Sequence, residues 1–203
     1  MTAHPRLPGL LADGEPLTDT AASWPVVSTE VAYDSAYISL TIETIQDGGG
    51  EPHHRAVVRP HGAVGVVALD EDDRILLVQQ YRHPVGQRML EIPAGTLDIR
   101  GEPSMDAAAR ELAEEADVLA VDWSPFLTLH GTPGYSSERW EVYIATDLTP
   151  VPADQRTARE AEEADMQQWW VPFEEAVEAV FDGRITDSMT VAAILGVQAR
   201  RSR

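Results

Sequence analysis

Three glutamates in one short segment, Glu111, Glu114 and Glu115, are spaced so that they could hold a metal ion. In an α-helix these positions, i, i+3 and i+4, share one face about one turn apart. Carboxylates gathered so closely repel one another unless a cation joins them. Because the chain has no cysteine and this segment has no histidine, oxygen ligands favour Mg²⁺ or Mn²⁺ over zinc. A hard divalent ion in turn indicates phosphate chemistry.

Arg110 stands one residue before the first of these glutamates and four residues before Glu114. At this spacing its guanidinium can reach the carboxylates, so we expect it to support them rather than to bind metal. The alternative is that residues 110–115 form an ordinary solvated helix face, since charged runs of this kind are common. Glu102 and the turn Ile92–Gly95 weigh against that alternative, because both precede the helix at defined spacings.

The segment from Gly95 to Val118 resembles the Nudix box, G-x5-E-x7-R-E-U-x-E-E-x-G-U, in which U is an aliphatic residue. The positions in register with the box are Glu102, Arg110, Glu111, Leu112, Glu114, Glu115 and Val118. One extra residue separates Gly95 from Glu102, as in some ADP-ribose pyrophosphatases of the superfamily, and it leaves the helix register intact. A second departure is Asp117, which stands where the box has glycine.

Asp117 falls just past the predicted helix, at a position that favours a left-handed backbone conformation. Aspartate tolerates that conformation better than most residues do. Its negative charge at the helix C-terminus should cost about a few tenths of a kcal/mol. We therefore expect lower local stability but intact chemistry, since the glycine of the box has no side chain to contribute to catalysis.

Segments outside the box are similar to the ADP-ribose pyrophosphatase group of this superfamily. In that group a proline stands about fifteen residues past the box, and Pro133 lies fifteen residues past Val118. The alternative is an ordinary Pro-Gly turn. Three further segments carry the same similarity: Gln79–Pro84, Glu91–Gly95 and Glu162–Met166. The resemblance thus extends from about residue 30 to residue 195.

The resemblance implies metal-dependent hydrolysis of a diphosphate bond in a small nucleotide-diphosphate substrate. Two or three Mg²⁺ ions, or Mn²⁺, would be held by Glu111, Glu114, Glu115 and the Ala94 carbonyl. ADP-ribose as substrate would give AMP and ribose 5-phosphate. In this group the general base is usually a glutamate on a loop after the box, which points to Glu162 or Glu163 in the polar segment 151–165. The alternative for either side chain is a solvated acidic loop.

Two arginines, Arg55 and Arg82, stand where the group binds pyrophosphate, and a guanidinium suits a diphosphate in an acidic molecule. Each could instead be a surface ion-pair partner. Tyr37 is a candidate to stack on adenine, although an aromatic residue in a strand is more often part of the core. Pro133 and Glu138, from the segment 131–138, complete the predicted substrate-binding residues.

These residues need a layered framework to hold them. Strands are predicted from alternation and apolar runs, and helices from apolar periodicity. The predicted strands are Val31–Ile45, pairing with residues 55–58 as a hairpin, then Ala63–Leu69, Ile75–Gln80, Leu127–Leu129, Trp140–Ala145 and Met166–Val171. The predicted helices are Met105–Ala116, Phe173–Phe181 and Asp187–Ala199. This order reads as α/β in layers, in keeping with the α/β/α sandwich and mixed sheet that the resemblance implies, plus an N-terminal β-hairpin extension.

We divide the chain into a mobile tail (1–25), N-terminal strands (26–60) and a catalytic domain (61–200). The resemblance implies a homodimer in which the N-terminal strands help to complete the partner's pocket. With 203 residues and a formal charge of −19, the chain is not expected to bind nucleic acid or an anionic membrane. The sequence has no membrane span or secretory signal, and we expect a cytoplasmic protein.

Two other functions stay open at this stage. The chain could be a Nudix hydrolase of another substrate, such as GDP-mannose or a damaged nucleoside triphosphate. It could also be a Nudix-fold ligand sensor without catalysis, although the intact glutamates and the lack of a DNA-binding appendage count against that function. Substrate preference, the number of metal ions and the identity of the base depend on the shape of the pocket.

Overall fold

The computed structural model describes residues 2–12, 14, 17–159 and 164–203. The strands are β1 (Thr2–Ala3), β2 (Leu10–Leu11), β3 (Val26–Asp34), β4 (Ile38–Gln46), β5 (Pro52–Pro60), β6 (Ala63–Ala68), β7 (Arg74–Arg82), β8 (Gln87–Glu91), β9 (Ala94–Thr96), β10 (Val118–Leu129), β11 (Trp140–Pro150) and β12 (Gln167–Pro172). The α-helices are α1 (Ser104–Ala116), α2 (Phe173–Phe181) and α3 (Ser188–Arg201), and a 3₁₀ turn spans His83–Val85.

Two sheets form the centre of the molecule. The first has the order β10-β11-β6-β9 and is mixed, because β11 runs parallel to β6 while its other pairs are antiparallel. The second, β12-β7-β8, is antiparallel. Strands β6 and β7 continue from one sheet to the other through the acidic turn at residues 70–73, where Asp70 accepts hydrogen bonds from the backbone amides of Asp72 and Arg74.

The strands of this centre bury both of their faces, as their uninterrupted apolar runs predict. On β6, Val64 and Val66 pack with α1, whereas Val67 packs with residues of α2 and α3. On β7, Leu76 points to the α1 side and Ile75 and Leu77 to the other side. Helix α1 therefore covers one face and helices α2 and α3 cover the opposite face, which confirms the predicted α/β/α arrangement.

The N-terminal strands β3, β4 and β5 form a separate antiparallel sheet. The turn of the predicted hairpin lies at residues 47–50, where Asp47 accepts hydrogen bonds from the amides of Gly49 and Glu51. The prediction of one strand from Val31 to Ile45 was wrong. The Ser35 hydroxyl accepts the amide of Ile38 and bends the chain between β3 and β4. The predicted hairpin is thus present as β4 and β5, and β3 extends it to a three-stranded meander.

Other departures concern short or irregular strands. Strand β10 begins at Val118, well before the predicted Leu127, and its pairing with β11 shifts register between Pro125 and Leu127. Strands β8 and β9 were not predicted. In the segment predicted as a tail, β1 and β2 pair with each other. No helix in the part of the chain that the structure describes has the length and apolarity needed to cross a membrane.

Candidate active site

A cleft of about 470 Å³ opens beside α1, between β6, β7, the segment 91–98 and the start of α3. Its lining is dominated by charge. Six carboxylates face it, belonging to Glu91, Asp98, Glu111, Glu115, Glu138 and Asp187. Two guanidiniums, Arg82 and Arg110, oppose them. Because the carboxylates outnumber the guanidiniums, an anionic ligand needs additional cations in order to enter this cleft.

Helix α1 forms because its apolar residues recur on one face. Ala107, Ala108, Leu112 and Ala116 are buried against the first sheet. Leu112 is fully buried and fixes the rotation of the helix. The neighbouring positions Glu111 and Glu115 consequently reach the cleft. The spacing of apolar residues that buries one face of α1 therefore also directs the carboxylates of Glu111 and Glu115 into the cleft.

Glu111 lies directly against the backbone of Gly95. A Cβ atom at position 95 would stand 1.9 Å from the Glu111 carboxyl carbon, a distance that no side chain can tolerate. Glycine is required here for close approach and not for an unusual backbone angle, since its φ lies outside the left-handed region. Strand β9 and α1 can therefore meet only because residue 95 lacks a side chain.

Glu115 is buried, with 3% of its surface exposed. One of its carboxylate oxygens accepts a hydrogen bond of 2.8 Å from the Ala94 amide. The backbone carbonyl of Glu115 in turn accepts a hydrogen bond from the Gln168 side chain at 3.2 Å. Glu115 is thus held at both its side chain and its main chain while it lines the cleft.

Arg110 binds all the neighbouring carboxylates on its side of α1. Its Nη1 donates to Glu111 at 2.6 Å and to Glu114 at 3.1 Å. Its Nε and Nη2 donate to the two oxygens of Glu102 at 3.2 and 3.1 Å. The hydrogen bonds to Glu102, followed by the charge of Glu111, raise the pKa of the Arg110 guanidinium. Arg110 remains charged and keeps the box glutamates close together, in the supporting position predicted for it.

Arg82 faces α1 from the end of β7. It donates to both carboxylate oxygens of Glu91, from Nε at 2.9 and 3.2 Å and from Nη2 at 2.6 Å. Glu91 is almost fully buried, and Gln80 also donates a long bond of 3.4 Å to it. The hydrogen bonds to Glu91 raise the pKa of Arg82, and the charges of Glu91, Glu115 and Asp187 act in the same direction. Arg82 is therefore a fixed cation that lines the cleft.

Asp187 contributes to the cleft from the N-cap of α3. Its carboxylate accepts hydrogen bonds from the amide and the hydroxyl of Thr190, both at 2.8 Å. The Thr190 hydroxyl accepts the amide of Ile92 at 3.0 Å. The start of α3 is thus tied to the segment that carries Glu91, Ala94 and Gly95. An aspartate before a helix is an N-cap signal, but its position in the cleft was not predicted.

Comparison with known proteins agrees with this geometry. The family model of the NUDIX domain matches residues 59–189, about two thirds of the chain. The chain belongs to the Nudix family. An ADP-ribose pyrophosphatase from Mycobacterium tuberculosis is 40% identical over 173 residues, which cover 85% of this chain and 82% of that protein. An ADP-ribose pyrophosphatase from Bacillus subtilis is 29% identical over 176 residues, covering 87% and 93%.

A solved structure described as an ADP compounds hydrolase superposes with a TM-score of 0.74. It covers 90% of this chain and 96% of its own at 21% identity, and therefore supports the fold alone. The predicted Nudix fold and the resemblance to the ADP-ribose pyrophosphatase group are both confirmed. The family assignment also confirms the prediction of an enzyme of the Nudix hydrolase type.

Nudix hydrolases generally depend on divalent metal ions. Among the residues that the structure describes, no three acidic or histidine side chains are already drawn together as a metal shell. Arg110 instead supplies the positive charge between Glu111 and Glu114. The donors nevertheless fit a hard divalent cation, because all are oxygens and the cleft carries excess negative charge. The absence of a side chain at Gly95 also leaves Glu111 in contact with the backbone beside Ala94.

The structure does not bring every predicted substrate residue to the cleft. Arg82 and Glu138 line it. Arg55 lies on β5, exposed, and donates a hydrogen bond to the carbonyl of His54. Tyr37 is 75% exposed, just before β4. Pro133 is exposed in the loop after β10, which is fastened to β5 by the bond from the Val58 amide to the Tyr135 carbonyl.

The predicted bases Glu162 and Glu163 lie outside the described residues. Besides Asp187, the sequence analysis missed two further polar partners within the described part of the chain, Glu91 and Arg159. Glu91 was noted there only as part of a similar segment, and its charge within an apolar stretch before Ile92 was a usable signal. Arg159, which binds the end of α1, gave no signal, because it lies far along the chain from its partners.

Proposed function

We propose that this protein hydrolyses the diphosphate bond of ADP-ribose, or of a close ADP-sugar, to AMP and a sugar 5-phosphate in a Mg²⁺-dependent reaction. The observation that carries the proposal is that carboxylates and a guanidinium line opposite walls of one cleft. One wall presents Glu111 and Glu115 of α1, with Glu111 against Gly95, and the other presents the fixed guanidinium of Arg82. The similarity to ADP-ribose pyrophosphatases supports this choice of substrate.

Glu111, Glu114, Glu115 and the Ala94 carbonyl would hold two or three Mg²⁺ ions, with Mn²⁺ as an alternative. Bound there, the ions supply positive charge that polarises the diphosphate and lowers the pKa of water. The Ala94 amide orients one oxygen of Glu115. Arg110 restrains Glu111 and Glu114 and keeps their carboxylates together when the cleft holds no substrate.

Arg82 binds oxygens of the diphosphate, and Glu91 keeps the guanidinium oriented toward the cleft through the hydrogen bonds that it accepts from Nε and Nη2. Glu162 or Glu163 takes the proton from the water that attacks one phosphorus. The bond from that phosphorus to the bridging oxygen breaks, and the second phosphate leaves with the bridging oxygen. Glu138, at the rim formed by residues 131–140, contacts the ribose or the phosphate nearest to it.

A homodimer would explain why the other predicted substrate residues lie away from the cleft of their own chain. Exposed apolar side chains cluster on β3, in the turn after it and at the start of β4: Val26, Val27, Val31, Tyr33, Tyr37 and Ile38. Residues 26–60 of each chain would cover the matching surface of a second copy. Tyr37 and Arg55 would then meet the substrate in the partner's cleft, beside the loop that carries Pro133.

The experiment that tests the proposal is product analysis with ADP-ribose, GDP-mannose and NADH, each with Mg²⁺ and with chelator. The proposal requires AMP from ADP-ribose only when metal is present. Turnover of GDP-mannose or NADH but not of ADP-ribose would be consistent with Nudix chemistry but would rule out ADP-ribose as the substrate. No turnover of any compound would favour a ligand sensor. A cytoplasmic location and the lack of nucleic-acid or membrane partners stay predictions of the sequence.

A further inference from the structure

The segment 91–95 connects the two walls of the cleft. At its start, Glu91 accepts hydrogen bonds from Arg82. At its end, the Ala94 amide donates to Glu115 at 2.8 Å, and the Ala94 carbonyl is one of the metal ligands that we propose. A displacement of this segment would therefore move the arginine proposed to bind the diphosphate and the groups proposed to bind metal at the same time.

Ile92 lies in the middle of this segment, where the chain passes from β8 in one sheet to β9 in the other. It belongs to neither strand and has only 1% of its surface exposed. A buried backbone amide needs a hydrogen-bond partner. The Thr190 hydroxyl, on α3, accepts the Ile92 amide at 3.0 Å. A side chain 98 residues away along the chain thus holds the point at which the segment changes sheets.

Asp187 orients the Thr190 hydroxyl toward that amide. Its Oδ2 accepts both the amide and the hydroxyl of Thr190, each at 2.8 Å. Capping of α3 needs only the bond from the amide, which any residue except proline would supply at this position. The second bond takes the hydroxyl proton, so that a lone pair of the same oxygen is left to accept the Ile92 amide. The hydroxyl therefore serves the segment 91–95 and is not needed for the cap.

Packing on β6 brings the start of α3 and this segment together. A Cβ atom at Gly65 would stand 2.5 Å from Sδ of Met189 and 2.9 Å from Cδ1 of Ile92, so both elements approach the strand where it has no side chain. Thr190 follows Met189 and is fully buried. It is not among the described residues that line the cleft. Any effect of Thr190 on the reaction therefore passes through the residues that it contacts.

We infer that Thr190 is a positioning residue for both walls of the active site. Its hydroxyl, oriented by Asp187, fixes the middle of the segment 91–95. The two ends of the segment are then placed together, one against Arg82 and the other against Glu115. The inference rests on the proposed function, because it takes Arg82 as a ligand of the diphosphate and Glu115 as a ligand of metal. One buried hydroxyl that does not line the cleft should consequently control both metal affinity and substrate affinity.

The test compares T190V, T190C and T190S with the parent protein. Thr190 is substituted rather than Asp187, because Asp187 lines the cleft and its charge acts there directly. The measurements are the apparent Kd for Mn²⁺, by electron paramagnetic resonance without substrate, and KM and kcat for ADP-ribose at saturating Mg²⁺. Thermal unfolding is followed in parallel.

T190V keeps the shape of the side chain and removes the hydroxyl. We expect the Mn²⁺ Kd and the KM each to rise about tenfold, and kcat to fall about tenfold, as is typical when a supporting partner of metal ligands is lost. T190C, whose thiol is a weak donor and acceptor, should change the same quantities in the same directions by smaller factors. T190S keeps the hydroxyl and should stay within about threefold of the parent.

A double variant tests whether Thr190 acts through the pair of Glu91 and Arg82. R82K loses the planar fork that Glu91 orients, so adding T190V should raise the KM of R82K by less than about threefold. The Mn²⁺ Kd of the double variant should still rise as it does in T190V, because Ala94 lies at the other end of the segment. General loosening of the fold would instead multiply the effects of the two substitutions on KM.

The control for lost stability is V197A. Val197 is buried on the same helix, about two turns beyond Thr190. Its truncation leaves a cavity in the core and removes no hydrogen-bonding group. V197A should lower Tm at least as much as T190V does, yet leave the Mn²⁺ Kd, KM and kcat unchanged.

T190V that leaves either the Mn²⁺ Kd or the KM unchanged would overturn the inference, and so would equal changes in T190V and V197A. If T190V does not fold, T190C decides the test by the same criteria. Parent protein that hydrolyses another diphosphate in place of ADP-ribose overturns the proposed substrate alone, and KM is then measured on that compound. Parent protein that hydrolyses none overturns both proposals.

Discussion

The cleft beside α1 and the N-terminal sheet are both predicted to meet the substrate, yet the chain supports them differently. In the cleft, Glu111 packs against the backbone of Gly95, and Glu115 accepts a hydrogen bond from the Ala94 amide. Arg82 donates hydrogen bonds to Glu91. In the N-terminal sheet, every residue of β3 is exposed. A single chain therefore holds the polar groups of the cleft in fixed positions, while it leaves the surface that we propose for recognition exposed.

The buried polar groups of the two regions show the same contrast. The N-terminal sheet does contain one such network, in which Arg59 donates to Thr41 and Glu43 across β4 and β5. The hydrogen bonds of this network join two adjacent strands, β4 and β5. The network of the cleft joins α1, β7, β8, β9 and α3. Substitutions in the cleft should consequently reduce catalysis, and substitutions on the sheet should act through assembly.

The largest effect is expected from E115Q. Glutamine keeps an oxygen that can accept the Ala94 amide, so the fold should persist, but the negative charge needed for a metal ligand is lost. We expect kcat to fall by about 10³-fold or more, measured as AMP release from ADP-ribose at saturating Mg²⁺. The control is E178Q, at an exposed position on α2. Activity of E115Q within tenfold of the parent would reject Glu115 as a metal ligand.

The next largest effect is expected from G95A. The new Cβ would overlap the Glu111 carboxyl group, so either that side chain or β9 must move. A displacement of about 1 Å in a catalytic group can cost about 10²-fold in rate, and we expect a loss of that size in kcat. The control is G48A in the N-terminal hairpin, where a Cβ would meet nothing within 4 Å. Equal activity of G95A and G48A would show that close approach at residue 95 is unimportant.

The sequence predicted correctly those features of the cleft that depend on the spacing of residues close together in the chain. The prediction Met105–Ala116 differs from α1 by one residue, because Ala108, Leu112 and Ala116 set a clear helical period. Strands β6 and β7 were found as apolar runs because both faces of each are buried. The cluster of Arg110 with Glu111 and Glu114 follows from the same period, since all lie within two turns.

The parts that sequence reasoning missed depend on partners distant along the chain. Ile92 and Thr190 are 98 residues apart, and Asp117 and Arg159 are 42 apart. No local period connects such pairs. Strand β8 is polar at its first residues and is defined by its pairing with β7. The break between β3 and β4 depends on one serine hydroxyl, which alternation of apolar residues does not reveal.

The role of the N-terminal sheet can be tested with V31E. Val31 is 63% exposed on β3, and a carboxylate there should prevent a second copy from packing on the sheet. We expect the parent protein to have twice the mass of the chain by light scattering and V31E to have the mass of one chain. KM for ADP-ribose should rise more than about tenfold if the partner completes the pocket.

The matched control for V31E is V121E, because Val121 is a similarly exposed valine outside the N-terminal sheet, on β10. It should leave both the mass and KM unchanged. Parent protein that is monomeric at assay concentrations would rule out the proposed dimer. V31E that is monomeric with an unchanged KM would instead separate assembly from substrate binding.

The smallest effect is expected from R82K, which tests whether the cleft of one chain binds the diphosphate through the guanidinium of Arg82. Lysine keeps a positive charge but cannot bind Glu91 and a diphosphate with a planar fork. We expect KM for ADP-ribose to rise about tenfold while kcat stays within about threefold. Because Glu91 raises the pKa of Arg82, the guanidinium stays charged at both pH 7 and pH 9, so the ratio of KM between R82K and parent should not change over that range.

The control for R82K is R74K, at the opposite end of the same strand, where Arg74 pairs with Asp70 and Asp72 of the acidic turn. It makes the same chemical change on β7 without altering the lining of the cleft. A KM that rises equally in both variants would indicate a general response of β7 to the loss of arginine. A rise confined to R82K would identify a diphosphate contact that one chain supplies by itself, in contrast to the surface on the N-terminal sheet, for which we propose a role that requires a second copy.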